Sequence, residues 1–247
     1  MFPIRDHNPS RRTPYVVYGL IAANIVAFLL QLPHMNSERA MMVFWRDWAM
    51  IPAAVTEGGE VRGVLTSMFL HAGLMHLAGN MLFLWIFGDN LEDQMGHLGF
   101  LAFYLVSGLA AAAAHIAADP GSVVPTVGAS GAIGGVLGGY LLLFPRARID
   151  ILVIFFVFFR VFALPAWVML GLWFGMQILG GLGTPSEAGG IAYWAHAGGF
   201  AAGMALTLPL WLRRGAAAFW QRTQGRPPHP ETQYSPSSIP VIRRRRK

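Results

Sequence analysis

The chain has 247 residues, 55% hydrophobic and 12% charged, with a formal charge of +6. Soluble domains carry roughly 25% charged residues; this deficit, with 29 glycines and a mean hydropathy of +0.49, points to lipid as the main solvent. The absence of cysteine excludes disulfides, thiolate catalysis and cysteine-based zinc sites, and the basic residues flank apolar runs instead of lining one face, which argues against nucleic-acid binding.

Residues 1–14 carry Arg5, Arg11 and Arg12 ahead of the first apolar run, 15–32. That run lacks a small-residue cleavage site and reads as a retained span. Residues 34–63 form a long first external loop. Within it MMVFWRDWAMIP is aromatic and amphipathic, suited to the headgroup layer or to packing on the bundle. Further spans of about 20 apolar residues are expected at 67–88, 98–117, 127–144, 164–182 and 191–212. The run 149–163 is also apolar, but it is short and interrupted by Arg160.

Parity decides how to treat 149–163. With six spans both termini share one side, which then holds all of the 18 basic residues except Arg39, Arg46 and Arg62. The positive-inside rule favours that arrangement, so 149–163 is expected to be interfacial or re-entrant. Residues 213–247 form a basic, proline-containing cytoplasmic tail expected to be disordered. Its Arg243–Lys247 run would hold anionic lipid or simply fix topology. The fold class is all-α: a polytopic six-transmembrane-helix bundle over 15–212. Arginine-rich, alanine-rich usage suggests a bacterial cell (inner) membrane.

Polar residues inside spans are costly and are therefore functional candidates. Ser130 lies in Gly128-Ala129-Ser130-Gly131 at the start of the fourth span. Glycines there permit a sharp turn and close approach, and a serine opening a helix sits beside unsatisfied N–H groups. On this motif alone, a serine in a membrane helix is more often a small packing residue. His196 precedes Gly198 and Gly199, and Gly199 with Gly203 forms a small-xxx-small face. Gly131, Gly135 and Gly139, with Gly134 and Gly138, offer matching faces on the fourth span. Packing through them would bring His196 within reach of Ser130 as a general base; otherwise it bonds a neighbouring carbonyl. No carboxylate lies within the membrane, so a Ser–His dyad is expected and not a triad.

His76 and Asn80 are four apart and share a helix face. They suit an oxyanion hole completed by the Ser130 N–H, or else an interhelical hydrogen-bonded pair. His71, five residues before His76, is expected to face elsewhere, near the surface, in a structural role. A zinc site would need three or four converging ligands, and no H-E-x-x-H occurs; neither a metal nor a cofactor is expected.

The combination resembles the rhomboid family of intramembrane serine proteases. The motif residues are Gly128-Ala129-Ser130-Gly131, His196 followed by Gly198 and Gly199, and His76-Leu77-Ala78-Gly79-Asn80, in the family's order and spans. Arg62 with Thr66–His71, Gly88-Asp89-Asn90-Leu91-Glu92 and Trp45-Arg46 also match family features. The resemblance implies a rhomboid-like bundle in which Ser130 and His196 are catalytic and His76 and Asn80 stabilise the oxyanion. It implies cleavage of single-span membrane proteins with small or helix-breaking residues near the cut, in contact with membrane lipids. Some members place an aromatic residue four positions after the serine, stacked on the histidine; here Gly134 stands there. A non-proteolytic relative that binds or escorts membrane helices is the alternative. A small transporter is a further one, although no repeated halves are visible.

Overall fold

The computed structural model describes residues 2–8, 10–155, 158–184 and 190–227. A short strand, β1 (Phe2–Asp6), precedes α1 (Tyr15–Gln31), which runs into a 3₁₀ turn. Three short helices follow: α2 (Glu38–Trp48), α3 (Pro52–Thr56) and α4 (Arg62–Thr66). Next come the long helices α5 (Leu74–Met95) and α6 (His97–Ala118), then α7 (Ser130–Leu143). Strands β2 (Arg148–Phe155) and β3 (Phe158–Pro165) precede α8 (Ala166–Gly183), α9 (Tyr193–Arg213) and α10 (Ala217–Thr223). Of the tail 213–247, expected to be disordered, the described part is not: α10 is helical and buries Phe219; residues 228–247, with the basic run Arg243–Lys247, lie outside the described residues.

The fold is mostly helical, with a helix over part of each stretch expected to span, although the one at Ser130–Leu143 has only 14 residues. Among the described residues, three helical stretches are long and apolar enough to cross a membrane: Tyr15–Asn36, His97–Ala118 and Ala166–Gly183. Arg62–Phe69 and Leu74–Met95, bent by 86°, make a fourth if counted as one span. The expected span 67–88 therefore does not start as one straight helix. The loop 34–63 holds α2 and α3; Ser37 caps α2 by accepting from the Ala40 N–H.

Three strands depart from the all-α expectation, forming one sheet in the order β1-β2-β3. The run 149–163 is not a seventh helix among the described residues: its flanks β2 and β3 pair antiparallel, with Arg148 opposite Pro165. Its Ile, Val and Phe content fits a pleated surface. The N-terminal β1 adds antiparallel to β2, Asp6 opposite Ile149, and Asp150 accepts from Arg5 and His7, both at 2.7 Å. Residues near the chain's other end join them: Arg146 N–H donates to the Gly225 carbonyl, and Trp220 Nε1–H to that of Leu142. Most of the described arginines thus gather at one end of the bundle. Met50 and Thr126 exchange backbone bonds at the opposite end.

The core is aromatic and aliphatic, with Tyr104, Tyr140, Phe87, Phe100 and Leu84 fully buried. Outward positions are apolar as well: Leu30, Trp85, Leu98, Trp167 and Leu179 are all exposed. In water such a surface would be an association liability; in lipid it is the expected one.

Helix α7 is central, and glycine makes it so. A Cβ at Gly138 or Gly203 would collide with backbone of the facing helix, and one at Gly134 would lie 2.9 Å from the His196 carbonyl oxygen. The glycine faces of α7 and α9 therefore meet as their spacing predicts, bringing the two backbones together at the level of Ser130 and His196.

Candidate active site

Ser130 is the first residue of α7. Gly128, two residues earlier, has φ +135°, a conformation side-chain-bearing residues rarely adopt. A Cβ there would also lie 2.9 Å from His76 Cε1 and 3.4 Å from Ser130 Oγ. Gly128 thus turns the chain into α7 and leaves the serine uncovered. The Gly128 N–H is held by the Ser67 carbonyl at 2.9 Å. The first N–H groups of α7, that of Ser130 among them, have no intrahelical acceptor.

His196 Nε2 lies 2.7 Å from Ser130 Oγ. On its other side, His196 Nδ1 lies 2.8 Å from Gln177 Oε1 of α8. The Trp173 indole stacks on the imidazole, with centroids 5.8 Å apart and planes inclined by 29°. The histidine is thus held by α8, from the side opposite the serine. Among the described residues the group bonded to Nδ1 is this neutral amide, and no carboxylate bonds the imidazole.

His76 and Asn80 lie on one face of α5, in the same cavity as Ser130. The Ala72 N–H can only donate, and it donates to His76 Nδ1 at 3.3 Å. The His76 proton therefore belongs on Nε2, the nitrogen beside Gly128 and Ser130. Asn80 Nδ2 is buried and has no hydrogen-bond partner among the described residues. His76 Nε2 and Asn80 Nδ2 are thus two side-chain donors in the cavity that holds Ser130, neither with an acceptor among the described residues.

His71 corrects one expectation. It is fully buried, not near the surface, and its ring meets His76 edge-on at 5.1 Å. It precedes α5, so helical periodicity from His76 does not describe it. Gln31 of α1 clamps its peptide, donating to the His71 carbonyl at 2.6 Å and accepting from its N–H at 3.3 Å. That clamp holds the chain break before α5.

Gln177, Trp173, Gln31 and His115, which bonds Thr126 at 3.0 Å, were not singled out from the sequence. Three of them carry a readable signal, since Gln31, His115 and Gln177 are polar residues inside apolar runs. Trp173 carries none. Among the described residues, no group of three or more His, Asp or Glu side chains could hold a metal ion.

The cavity has a volume of about 840 Å³ and is lined by Met75, His76, Asn80, Ser130, Trp173 and His196, among others. A hydrogen-bonded serine and imidazole facing oriented donors inside apolar helices define a class: polytopic membrane proteins with a buried hydrolase-like site. Comparison with known proteins gives the family. A Rhomboid domain model matches residues 58–213, and the chain belongs to the rhomboid family. It is 35% identical over 140 residues to Rhomboid protein 1, mitochondrial, of Saccharomyces cerevisiae, covering 54% of this chain and 38% of that protein. It is 35% identical over 131 residues to Rhomboid protease GluP of Bacillus subtilis, covering 52% and 24%. It is 32% identical over 142 residues to the human Presenilin-associated rhomboid-like protein, mitochondrial, covering 55% and 35%. The chain thus spans well under two-thirds of the length of these relatives. It is an integral membrane protein.

Proposed function

We propose that this chain is an intramembrane serine endopeptidase that cleaves transmembrane segments of single-span membrane proteins. One observation carries the reading: the 2.7 Å contact between Ser130 Oγ and His196 Nε2. In the reaction, Oγ bonds to the scissile carbonyl carbon as its proton passes to Nε2. The carbonyl π pair moves onto oxygen, facing His76 Nε2–H, Asn80 Nδ2–H and the Ser130 N–H. The C–N bond then breaks and the leaving amine takes the proton from His196. Water, deprotonated by the same imidazole, releases the acyl group and restores the serine.

The proposed topology has six spans, both termini cytoplasmic, in a bacterial inner membrane; the gathering of arginines at one end of the bundle supports it. Helix α7 has 14 residues, about 21 Å of rise at 1.5 Å per residue, against a hydrocarbon layer of about 30 Å. With its C-terminal end at the cytoplasmic face, Ser130 lies below the outer surface, and water reaches it through the cavity. A substrate helix must unwind there, so small or helix-breaking residues near the cut are favoured.

The test is Ser130→Ala in liposomes with a model single-span substrate. Cleavage and fluorophosphonate labelling are expected to vanish while the thermal transition stays in place. Undiminished cleavage rejects the nucleophile. A folded wild-type protein that neither labels nor cleaves supports instead a relative that binds or escorts membrane helices.

A further inference from the structure

The Ser130–His196 pair works only in one imidazole tautomer: the proton must sit on Nδ1, leaving the Nε2 lone pair for the serine. Soluble hydrolases fix that tautomer with a buried carboxylate. Among the described residues no carboxylate bonds His196, and an ionised one at this depth would be costly.

We propose that Gln177 is the positioning residue that fixes the tautomer and orientation of His196, together with the Trp173 ring. The inference rests on the protease reading for its kinetic consequences, but its geometry does not. A backbone carbonyl can only accept a hydrogen bond. Gln177 Nε2 lies 3.1 Å from the Trp173 carbonyl and must donate to it. The Gln177 amide orientation is thereby set, and Oε1 is the atom 2.8 Å from His196 Nδ1. An amide oxygen can only accept, so Nδ1 carries the proton. Nε2 is then the acceptor at 2.7 Å from Ser130 Oγ. Polarity is therefore handed along four groups, from the Trp173 carbonyl through Gln177 and His196 to Ser130, each step leaving one choice.

The two supports come from one helix face. Trp173 and Gln177 are four residues apart on α8 and reach the ring together, Trp173 on its face and Gln177 on its edge. This arrangement also accounts for Gly134. A Cβ at that position would stand 2.9 Å from the His196 carbonyl oxygen and 3.4 Å from the Phe200 nitrogen. Close packing of α7 on α9 thus leaves no room for an aromatic there, and α8 supplies the ring instead. Gln177 is 6% exposed, so its bonds are shielded from competing water.

The other titratable groups bordering the cavity are His76 on α5, His115 and Asp119 at the end of α6, and Tyr193 on α9. Among the described residues none of them bonds His196. A change at residue 177 therefore acts on the ring directly.

The experiment uses the full chain in bicelles, with ¹⁵N-labelled histidine for NMR and a fluorogenic single-span substrate for kinetics. Wild type and Ser130→Ala are expected to show His196 as the Nδ1–H tautomer. Gln177→Met removes the acceptor at nearly constant volume; it is expected to give mixed tautomers and to lower kcat by roughly 10- to 100-fold, the range for an outer bond that orients a histidine, with KM within about twofold. Gln177→Asn keeps the amide but draws it away from the ring, and is expected to act in the same direction if the Met variant fails to fold. Gln177→Glu presents an oxygen to Nδ1 in either protonation state and is expected to recover most of the activity. A tautomer unchanged in Gln177→Met or Gln177→Asn overturns the proposal, as does a loss in Gln177→Glu equal to that in Gln177→Met. If wild type shows the fixed tautomer but no cleavage, the positioning stands and the protease reading falls.

Discussion

Gly199 of α9 lies so close to the Gly131 carbonyl of α7 that a Cβ at residue 199 would collide with it. The obstacle is backbone and cannot rotate aside. Gly199→Ala must therefore push the two helices apart, and overpacking of this kind costs about 1–3 kcal/mol. The same displacement separates Ser130 from His196, so activity is expected to fall further than stability alone explains. Thermal unfolding in detergent, with fluorophosphonate labelling at a temperature where the variant is fully folded, separates the two effects. Wild-type labelling rates in a folded Gly199→Ala protein would show that the close approach does not set the dyad.

Asn80 distinguishes a catalytic donor from a structural one. Its Nδ2 is buried and unmatched among the described residues, so replacing it leaves no orphaned partner behind. Asn80→Ala is expected to leave the thermal transition within about 0.5 kcal/mol of wild type, as for a substitution that breaks no existing bond. It is expected to lower kcat by roughly 100-fold or more, the scale of losing one oxyanion donor. An interhelical bonding role makes the opposite pattern: reduced stability with kcat unchanged.

Much of this site is legible in the sequence, for a physical reason. Ser130, His196, His76 and Asn80 stand out because polar groups are scarce in apolar runs, and the glycine spacings on the fourth and sixth spans name the faces that meet. Gln177 and Gln31 carry the same signal, but their partners are a ring nitrogen and a peptide group on distant segments, which no local spacing reveals. His71 was misplaced because periodicity assumes an unbroken helix, and the chain bends by 86° between Phe69 and Leu74. The pairing of β2 with β3 was illegible because a continuous apolar run shows no period-two alternation.

Docking of β1 has a pH dependence with a definite sign. The Asp150 carboxyl is held below its ordinary value of 3.8 chiefly by the His7 hydrogen bond, with Arg5 adding and burial opposing. A carboxyl that titrates lower when folded stabilises above its unfolded pKa and loses that contribution as pH falls through the folded value. Asp6, one strand away, runs the other way. Burial above all raises its pKa, so its contribution is present below 3.8 and is lost as pH rises through the raised value. Asp150→Asn is therefore expected to be less stable than wild type at pH 6, and the gap should close as pH falls below about 4. Melting temperatures of both proteins from pH 6 to pH 3 test this, and a gap that stays constant refutes it.

Glu92 ties the first long helix to the second. Its carboxylate, 2% exposed, accepts from the backbone N–H of Val16 at 3.0 Å and of Val17 at 2.9 Å, and it also meets His97 Nδ1. Val16 and Val17 are in the first turn of α1, where N–H groups lack intrahelical partners and the helix dipole favours negative charge. The cap thus comes from another helix, and Gly88 lets the two meet, since a Cβ there would lie 2.8 Å from Val17 Cγ2. Glu92→Ala leaves two N–H groups without acceptors and is expected to cost about 2–6 kcal/mol, at about 1–3 kcal/mol for each buried group left unsatisfied. Glu92→Gln keeps one good acceptor oxygen and should lose about half as much. Because the residue is remote from Ser130, the folded fraction of either variant should label with fluorophosphonate at the wild-type rate. Urea or thermal unfolding measures the first effect and labelling of the folded fraction the second; equal stability of wild type and Glu92→Ala would mean that the α1 terminus finds other acceptors.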